Sequence, residues 1–92
     1  MDERVRADAI HRLKSVAGHI QGIVKMLEED RYCIDVIRQI QAAQTALSRV
    51  SEGVLEAHLR TCVTTAIRGE DADERERMLS EIIEVYRHTE KL

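Results

Sequence analysis

The sequence predicts an all-α fold. Along two long stretches, apolar residues recur at alternating steps of four and three, the spacing of a helix packed on other helices. The chain has no proline, which would interrupt such helices, and it shows no strand signal. We therefore predict a single domain with a three-helix protomer, with helices at about residues 3–29, 31–68 and 72–89.

The apolar repeats define the first two helices. Gly18 and Gly22 lie one turn apart in the first, where they either admit a neighbouring helix or are simply tolerated. In the second, Gly53 is the only poor helix former, and one glycine costs only about 1 kcal/mol. The repeats are Ala9, Leu13, Val16, Ile20, Ile23 and Leu27 in the first helix, and Val36, Ile40, Ala43, Leu47, Val50 and Val54 in the second.

Capping residues predict where the helices begin and end. Asp30 is suited to cap the second helix, which places Cys33 in its first turn. Gly69 is a natural stop, and Asp71 or Asp73 would cap the third helix. The predicted apolar face of the third helix consists of Met78, Leu79, Ile82, Ile83 and Tyr86.

The composition indicates an oligomer. Hydrophobic residues make up 43% of the 92 residues, but aromatic residues only 2%. Long helices in so short a chain present more apolar surface than one copy can cover. No apolar run approaches the length of a membrane span, and the N-terminus lacks a signal-peptide pattern, so we expect a cytoplasmic protein without membrane contact. In that compartment the two cysteines are expected to be thiols.

Two cysteines and a histidine are the candidate metal ligands. His58 and Cys62 are four residues apart and therefore neighbours on one face of a helix. Cys33 points the same way but lies roughly 37 Å from His58 along a straight helix. If the three side chains bind one ligand, an antiparallel partner helix must bring them together. Conditional on a continuous helix, this geometry predicts a two-fold dimer with two equivalent Cys–His–Cys sites.

The chemistry of these residues leaves alternatives open. Two sulfurs and one imidazole suit three-coordinate Cu(I), whereas a structural zinc site needs a fourth ligand, such as Glu81 or water. An isolated cysteine such as Cys33 is also often a buried structural residue. A Cys–His nucleophile would need a substrate pocket and an oxyanion hole, and amphipathic helices without glycine-rich loops offer neither. We therefore expect no enzyme.

Basic side chains suggest a nucleic-acid surface. Arg38, Arg49 and Arg60 recur every eleven residues and line one helix face, and Arg12 and Lys14 would extend such a surface from the first helix. A solvated face is the simpler interpretation of the same pattern. Residues 69–92 carry eight acidic and four basic side chains, so a DNA-binding face must lie on the first two helices.

Short motifs along nearly the whole chain carry a resemblance to known proteins. They include Arg12-Leu13-Lys14, Gly18-His19, Gly22-Ile23-Val24, Met26-Leu27-Glu28 and Gln39-Ile40-Gln41-Ala42. The combination of Tyr32-Cys33-x-Asp35-Val36 with His58-Leu59-x-x-Cys62 is specific. In these motifs the sequence resembles the copper-sensitive operon repressors, the Cu(I)-responsive branch of the CsoR/RcnR family.

The resemblance implies a transcriptional repressor that assembles as an antiparallel four-helix-bundle dimer and then as a dimer of dimers, a homotetramer. It implies that Cu(I) is bound by Cys33 of one protomer and by His58 and Cys62 of the other. Copper binding would release operator double-stranded DNA and derepress copper-efflux genes.

The resemblance also implies further roles. Tyr32 and Glu81 would support the copper site, and Arg12, Lys14 and Arg49 would contact DNA. Nickel and cobalt sensors of the family have a histidine where this chain has Cys62, and persulfide sensors lack the histidine equivalent to His58. Because a dithiol can also be persulfidated, a reactive-sulfur sensor that uses Cys33 and Cys62 is the alternative function.

Overall fold

The computed structural model describes residues 1–89, and the regular structure in that range is helical throughout. The all-α prediction is therefore confirmed. The helices are α1 (Glu3–Glu28), α2 (Cys33–His58), a π-helical turn (Leu59–Val63), α3 (Thr64–Arg68) and α4 (Ala72–Thr89). The chain forms two compact units, Met1–Ala57 and His58–Leu92. Among the helices of residues 1–89, none is long and apolar enough to cross a membrane.

The connection between α1 and α2 differs from the prediction at Asp30. This residue does not cap α2; it has φ 59° and is the left-handed residue that closes α1. Its N–H donates to the Leu27 carbonyl at 3.2 Å, and the Arg31 N–H donates to the Met26 carbonyl at 2.9 Å. These two bonds form a Schellman motif, in which aspartate is one of the better-tolerated residues after glycine and asparagine. Because the motif extends the connection, α2 begins at Cys33 and not at residue 31.

In the first unit, α1 and α2 form an antiparallel hairpin. The buried members of the apolar repeats are spaced seven residues apart: Val16 and Ile23 on α1, and Val36, Ala43 and Val50 on α2, while Ala9 at the start of the α1 series is half-buried. Ile23, Val36 and Ala43 form a core cluster, against which the partly buried Met26 packs. Several intervening members are exposed, namely Leu13, Ile20 and Leu27 on α1 and Ile40 and Leu47 on α2, and we call these five residues the exposed stripe.

Within residues 1–89, no other element packs closely against the two glycines of α1. A Cβ built on Gly18 or on Gly22 would meet nothing within 4 Å. Gly53 is accommodated within α2, as predicted, and is equally unobstructed. Close approach of another helix at Gly18 and Gly22 therefore remains a prediction for the assembly.

Residues from Cys33 to Arg68 are helical without a gap, in keeping with the predicted long helix, but residues 59–63 are π-helical. The Leu59 carbonyl accepts the Thr64 backbone N–H, and the Thr64 hydroxyl donates to the same oxygen at 2.6 Å. A bond from residue i+5 is the mark of a π turn, and such turns are often found at functional sites.

The second unit ends with the predicted turn and helix. Helix α3 stops before Gly69, as expected, and Asp71 caps α4 by accepting the N–H groups of Asp73 and Glu74 at 3.0 and 3.1 Å. Val63 and Ala66 are buried, whereas Met78 and Ile82 of α4 are only half-buried. Leu79, Ile83 and Tyr86 are exposed, so the apolar face predicted for the third helix is only partly covered.

Candidate functional site

The three predicted metal ligands lie at the two ends of α2. Cys33 is the first residue of this 26-residue helix and His58 is the last. Cys62 follows in the π-helical turn. Both cysteines are free thiols and exposed, and His58 is half-buried. All three side chains are therefore accessible to a small ligand or to a second chain.

The π turn changes the local geometry of the His58–Cys62 pair. Sequence reasoning placed these residues one α-helical turn apart, but the backbone after His58 follows the wider π geometry. The Thr61 hydroxyl donates to the Cys62 sulfur at 3.7 Å. Thr65 donates its hydroxyl to the Thr61 carbonyl at 2.8 Å. Threonine side chains thus hold the segment that presents Cys62.

Within the described part of one chain, no metal site is complete. Among residues 1–89, no three His, Cys, Asp or Glu side chains are grouped closely enough to hold a metal ion. An α-helix of 26 residues is about 38 Å long, so its first and last residues cannot share one ion. A site made from Cys33, His58 and Cys62 therefore requires a second chain, and that assembly remains a prediction.

Tyr32 and Glu81 have no demonstrated role in the single chain. Tyr32 lies in the connection before α2, is 66% exposed, and accepts the Val36 N–H with its carbonyl at 3.2 Å. Glu81 is an exposed residue of α4. Their support of a copper site stays a prediction.

Two of the three predicted DNA contacts line one cleft of the first unit. Arg12 from α1 and Arg49 from α2 border a cleft of about 170 Å³, together with Asp8 and Gly53. The remaining lining residues are Val5, Ala9, Val50 and Val54. Lys14 is exposed on α1 but does not line the cleft. The cleft therefore combines an apolar wall with two guanidinium groups and one carboxylate.

Sequence reasoning missed two polar contacts of this unit. The Arg12 Nε donates to the Asp8 Oδ2 at 2.8 Å, with the two side chains 54% and 61% exposed. The spacing of four residues, typical of helix ion pairs, could have revealed it. The second contact joins the helices: His19 Nε2 lies 2.8 Å from Gln39 Oε1. Nothing in the local sequence indicates that pairing, because it depends on the register of α1 against α2.

Comparison with known proteins places the chain in a family. The metal-sensitive transcriptional repressor family matches residues 5–88, and the chain belongs to this family. The copper-sensing transcriptional repressor CsoR of Mycobacterium tuberculosis H37Rv is 52% identical over 59 residues, which cover 64% of this chain and 50% of that protein. CsoR of Bacillus subtilis strain 168 is 40% identical over 77 residues, 84% of this chain and 73% of that protein.

A solved structure extends the similarity to the fold. The crystal structure of the copper-sensing repressor CsoR with Cu(I) from Geobacillus thermodenitrificans NG80-2 matches with a TM-score of 0.85 and 36% identity. The match covers 97% of this chain and 90% of that one. The chain spans about half the length of several of the curated mycobacterial relatives it matches, with 50% of each covered.

Proposed function

We propose that this protein is a Cu(I)-responsive transcriptional repressor that binds operator DNA without metal and releases it when Cu(I) binds. The observation that carries the proposal is the match to a Cu(I)-bound CsoR structure over 97% of the chain, combined with two exposed thiols and an accessible histidine in this one. Release of the operator would derepress copper-efflux genes.

The available donor atoms fit Cu(I). Cys33 and Cys62 are free and exposed, so their sulfurs are not consumed by a disulfide or by core packing. Soft thiolates favour Cu(I) and zinc, but a structural zinc site needs four ligands, whereas two sulfurs with one imidazole suit the low coordination number of Cu(I). In the proposed site Cys33 of one protomer binds together with His58 and Cys62 of its partner. Tyr32 and Glu81 would support these ligands.

The proposed antiparallel dimer also covers the apolar surface that one chain leaves open. Ile20 of α1 is 45% exposed and Leu47 of α2 is 41% exposed, although both belong to the apolar repeats. An antiparallel copy packed on the exposed stripe would bury these side chains in a four-helix bundle. Two such dimers would form the homotetramer.

Arg12, Lys14 and Arg49 are the proposed DNA contacts. Arg12 and Arg49 lie in one cleft of the first unit, so a DNA phosphate there could receive hydrogen bonds from both guanidinium groups. Copper and DNA must weaken each other's binding by the same factor, because coupling between two sites is reciprocal.

An anaerobic Cu(I) titration with X-ray absorption tests the metal site. We expect two sulfurs and one nitrogen per site, and operator affinity that falls as Cu(I) is added. Operator affinity unchanged by Cu(I) would contradict the proposal.

Subunit mixing tests whether two chains share the site. Cys33→Ala and Cys62→Ala should each lose tight Cu(I) binding, but a mixed dimer of the two retains one intact site, because each chain supplies what the other lacks. We expect about half of the wild-type sites in such heterodimers, isolated through two different affinity tags. No recovery in mixed dimers would show that the ligands are not shared in this way.

A reactive-sulfur sensor is the rival function, and the exposure of both free thiols favours it. His58→Ala separates the two, because persulfide chemistry between Cys33 and Cys62 does not need an imidazole. A response to Cu(I) that is lost in this variant supports the copper sensor. A persulfide response that persists, with mass spectrometry showing modified cysteines, supports the rival.

A further inference from the structure

We propose that Asp8 competes with DNA phosphate for Arg12 and thereby sets how strongly the Arg12–Arg49 cleft binds the DNA backbone. This inference rests on the proposed function, since it concerns the same surface. It adds a residue with a role opposite to that of the arginines: an internal carboxylate that weakens DNA binding.

The geometry places the carboxylate where a phosphate would bind. Asp8 and Arg12 lie one turn apart on α1, and the Arg12 Nε donates to Asp8 Oδ2 at 2.8 Å. Both residues line the cleft together with Arg49 of α2. A phosphate that enters this cleft and binds the Arg12 guanidinium would therefore lie near the Asp8 carboxylate as well.

The Asp8 carboxylate and a DNA phosphate compete for the same hydrogen-bond donors of Arg12. Carboxylate and phosphate oxygens accept the same guanidinium hydrogen bonds. The pair is 54% and 61% exposed, so it is weak enough for DNA to displace. Asp8 thus holds Arg12 in position in the free protein without locking it. While Asp8 stays in the cleft, its charge also repels the incoming phosphate.

The chain offers a matched control. Lys25 and Glu29 form an ion pair of the same i,i+4 spacing near the other end of α1, at 3.9 Å. Neither residue lines the cleft. Asp8→Asn and Glu29→Gln therefore each remove one negative charge, the first within α1 and the second at its C-cap, but only the first frees an arginine of the cleft.

The experiment measures binding of the full-length chain to a fluorescent duplex selected from a random library by the wild-type protein. We expect Asp8→Asn to lower the Kd by about twofold to fivefold, the range of an exposed ion pair. Glu29→Gln should leave the Kd unchanged. In an Arg12→Gln background, which should itself reduce the slope of log K against log salt by about one, the gain from Asp8→Asn should shrink, because only the direct repulsion between Asp8 and phosphate remains.

The possible results of this experiment separate the role of Asp8 from the repressor proposal. Equal binding by the wild type and Asp8→Asn, or an equal gain from Glu29→Gln, would overturn the role of Asp8 and leave the repressor proposal intact. A gain that persists undiminished in the Arg12→Gln background would show that Asp8 does not act through Arg12. A wild-type chain that selects no duplex and shows no salt-dependent DNA binding would overturn the repressor proposal together with this inference.

Discussion

At the scale of single residues, Asp30 shows how one backbone conformation separates two helices. Its φ of 59° lets the Asp30 and Arg31 N–H groups return to the last turn of α1. The chain then leaves the axis of α1, and the next helix starts at Cys33. The conformation of Asp30 thus determines that a candidate metal ligand is the first residue of α2.

Replacing Asp30 tests this account. We expect Asp30→Val to lower the free energy of unfolding by about 1–2 kcal/mol, because a β-branched side chain is strained in the left-handed region. Asp30→Gly is the control and should be neutral or slightly stabilising. Urea unfolding at fixed protein concentration would measure both. A Val variant as stable as the wild type would show that the connection adopts another conformation.

At the scale of elements, the π-helical turn at Leu59–Val63 interrupts the α-helical hydrogen bonding between α2 and α3. Two donors of Thr64, the backbone N–H and the hydroxyl, meet the Leu59 carbonyl. The turn contains Cys62 and follows directly after His58. The relative position of these two candidate ligands therefore depends on hydrogen bonds made by threonine.

Removing the Thr64 hydroxyl tests this dependence. Thr64→Val keeps the shape of the side chain but loses the 2.6 Å bond to Leu59, so we expect a loss of about 0.5–1.5 kcal/mol in stability. If His58 and Cys62 bind Cu(I) as proposed, its affinity should also fall, measured by competition with a Cu(I) chelator. Thr64→Ser retains the hydroxyl and should keep both properties near wild type. Unchanged stability and copper affinity in Thr64→Val would show that the backbone bond alone maintains the turn.

At the scale of the whole molecule, one chain buries only part of its apolar repeats. Each helix of the first unit buries repeat members seven residues apart and leaves the exposed stripe uncovered. A row of apolar side chains at seven-residue spacing is the surface of a helix that packs against another helix. The surface that one chain leaves uncovered is the reason to expect an assembly.

A charge within the exposed stripe should prevent that assembly. If the chain assembles through the exposed stripe as proposed, we expect Ile20→Asp to convert the oligomer into monomers, because the carboxylate would be buried without a partner at the interface. Gln21→Asp introduces the same charge at the neighbouring exposed position outside the stripe and should leave assembly intact. Analytical ultracentrifugation distinguishes the two. An Ile20→Asp variant that sediments like the wild type would place the interface elsewhere.

The helices were predictable because their signals are local. The repeat of Val36, Ala43 and Val50 and the capping residue Asp71 act over one or two turns, and the structure confirms them. The outcome at Asp30 was not predictable in the same way. Its side chain is among those preferred at a helix N-cap and is only tolerated at a left-handed C-terminal position, yet the hydrogen bonds of the finished connection favoured the second.

The candidate site, too, was only partly predictable from the sequence. The residue types were enough to propose Cys33, His58 and Cys62 as candidate ligands. Their separation along one helix was enough to predict that a shared site needs a second chain, because helix rise is a constant of the backbone. The Arg12–Asp8 pair has the four-residue spacing of a helix ion pair and was open to prediction. The convergence of Arg12 and Arg49 on one cleft, the contact between His19 and Gln39, and the π turn at Cys62 emerged only in the folded structure. These features depend on the register between helices and on competing hydrogen bonds, which no local pattern of residues encodes.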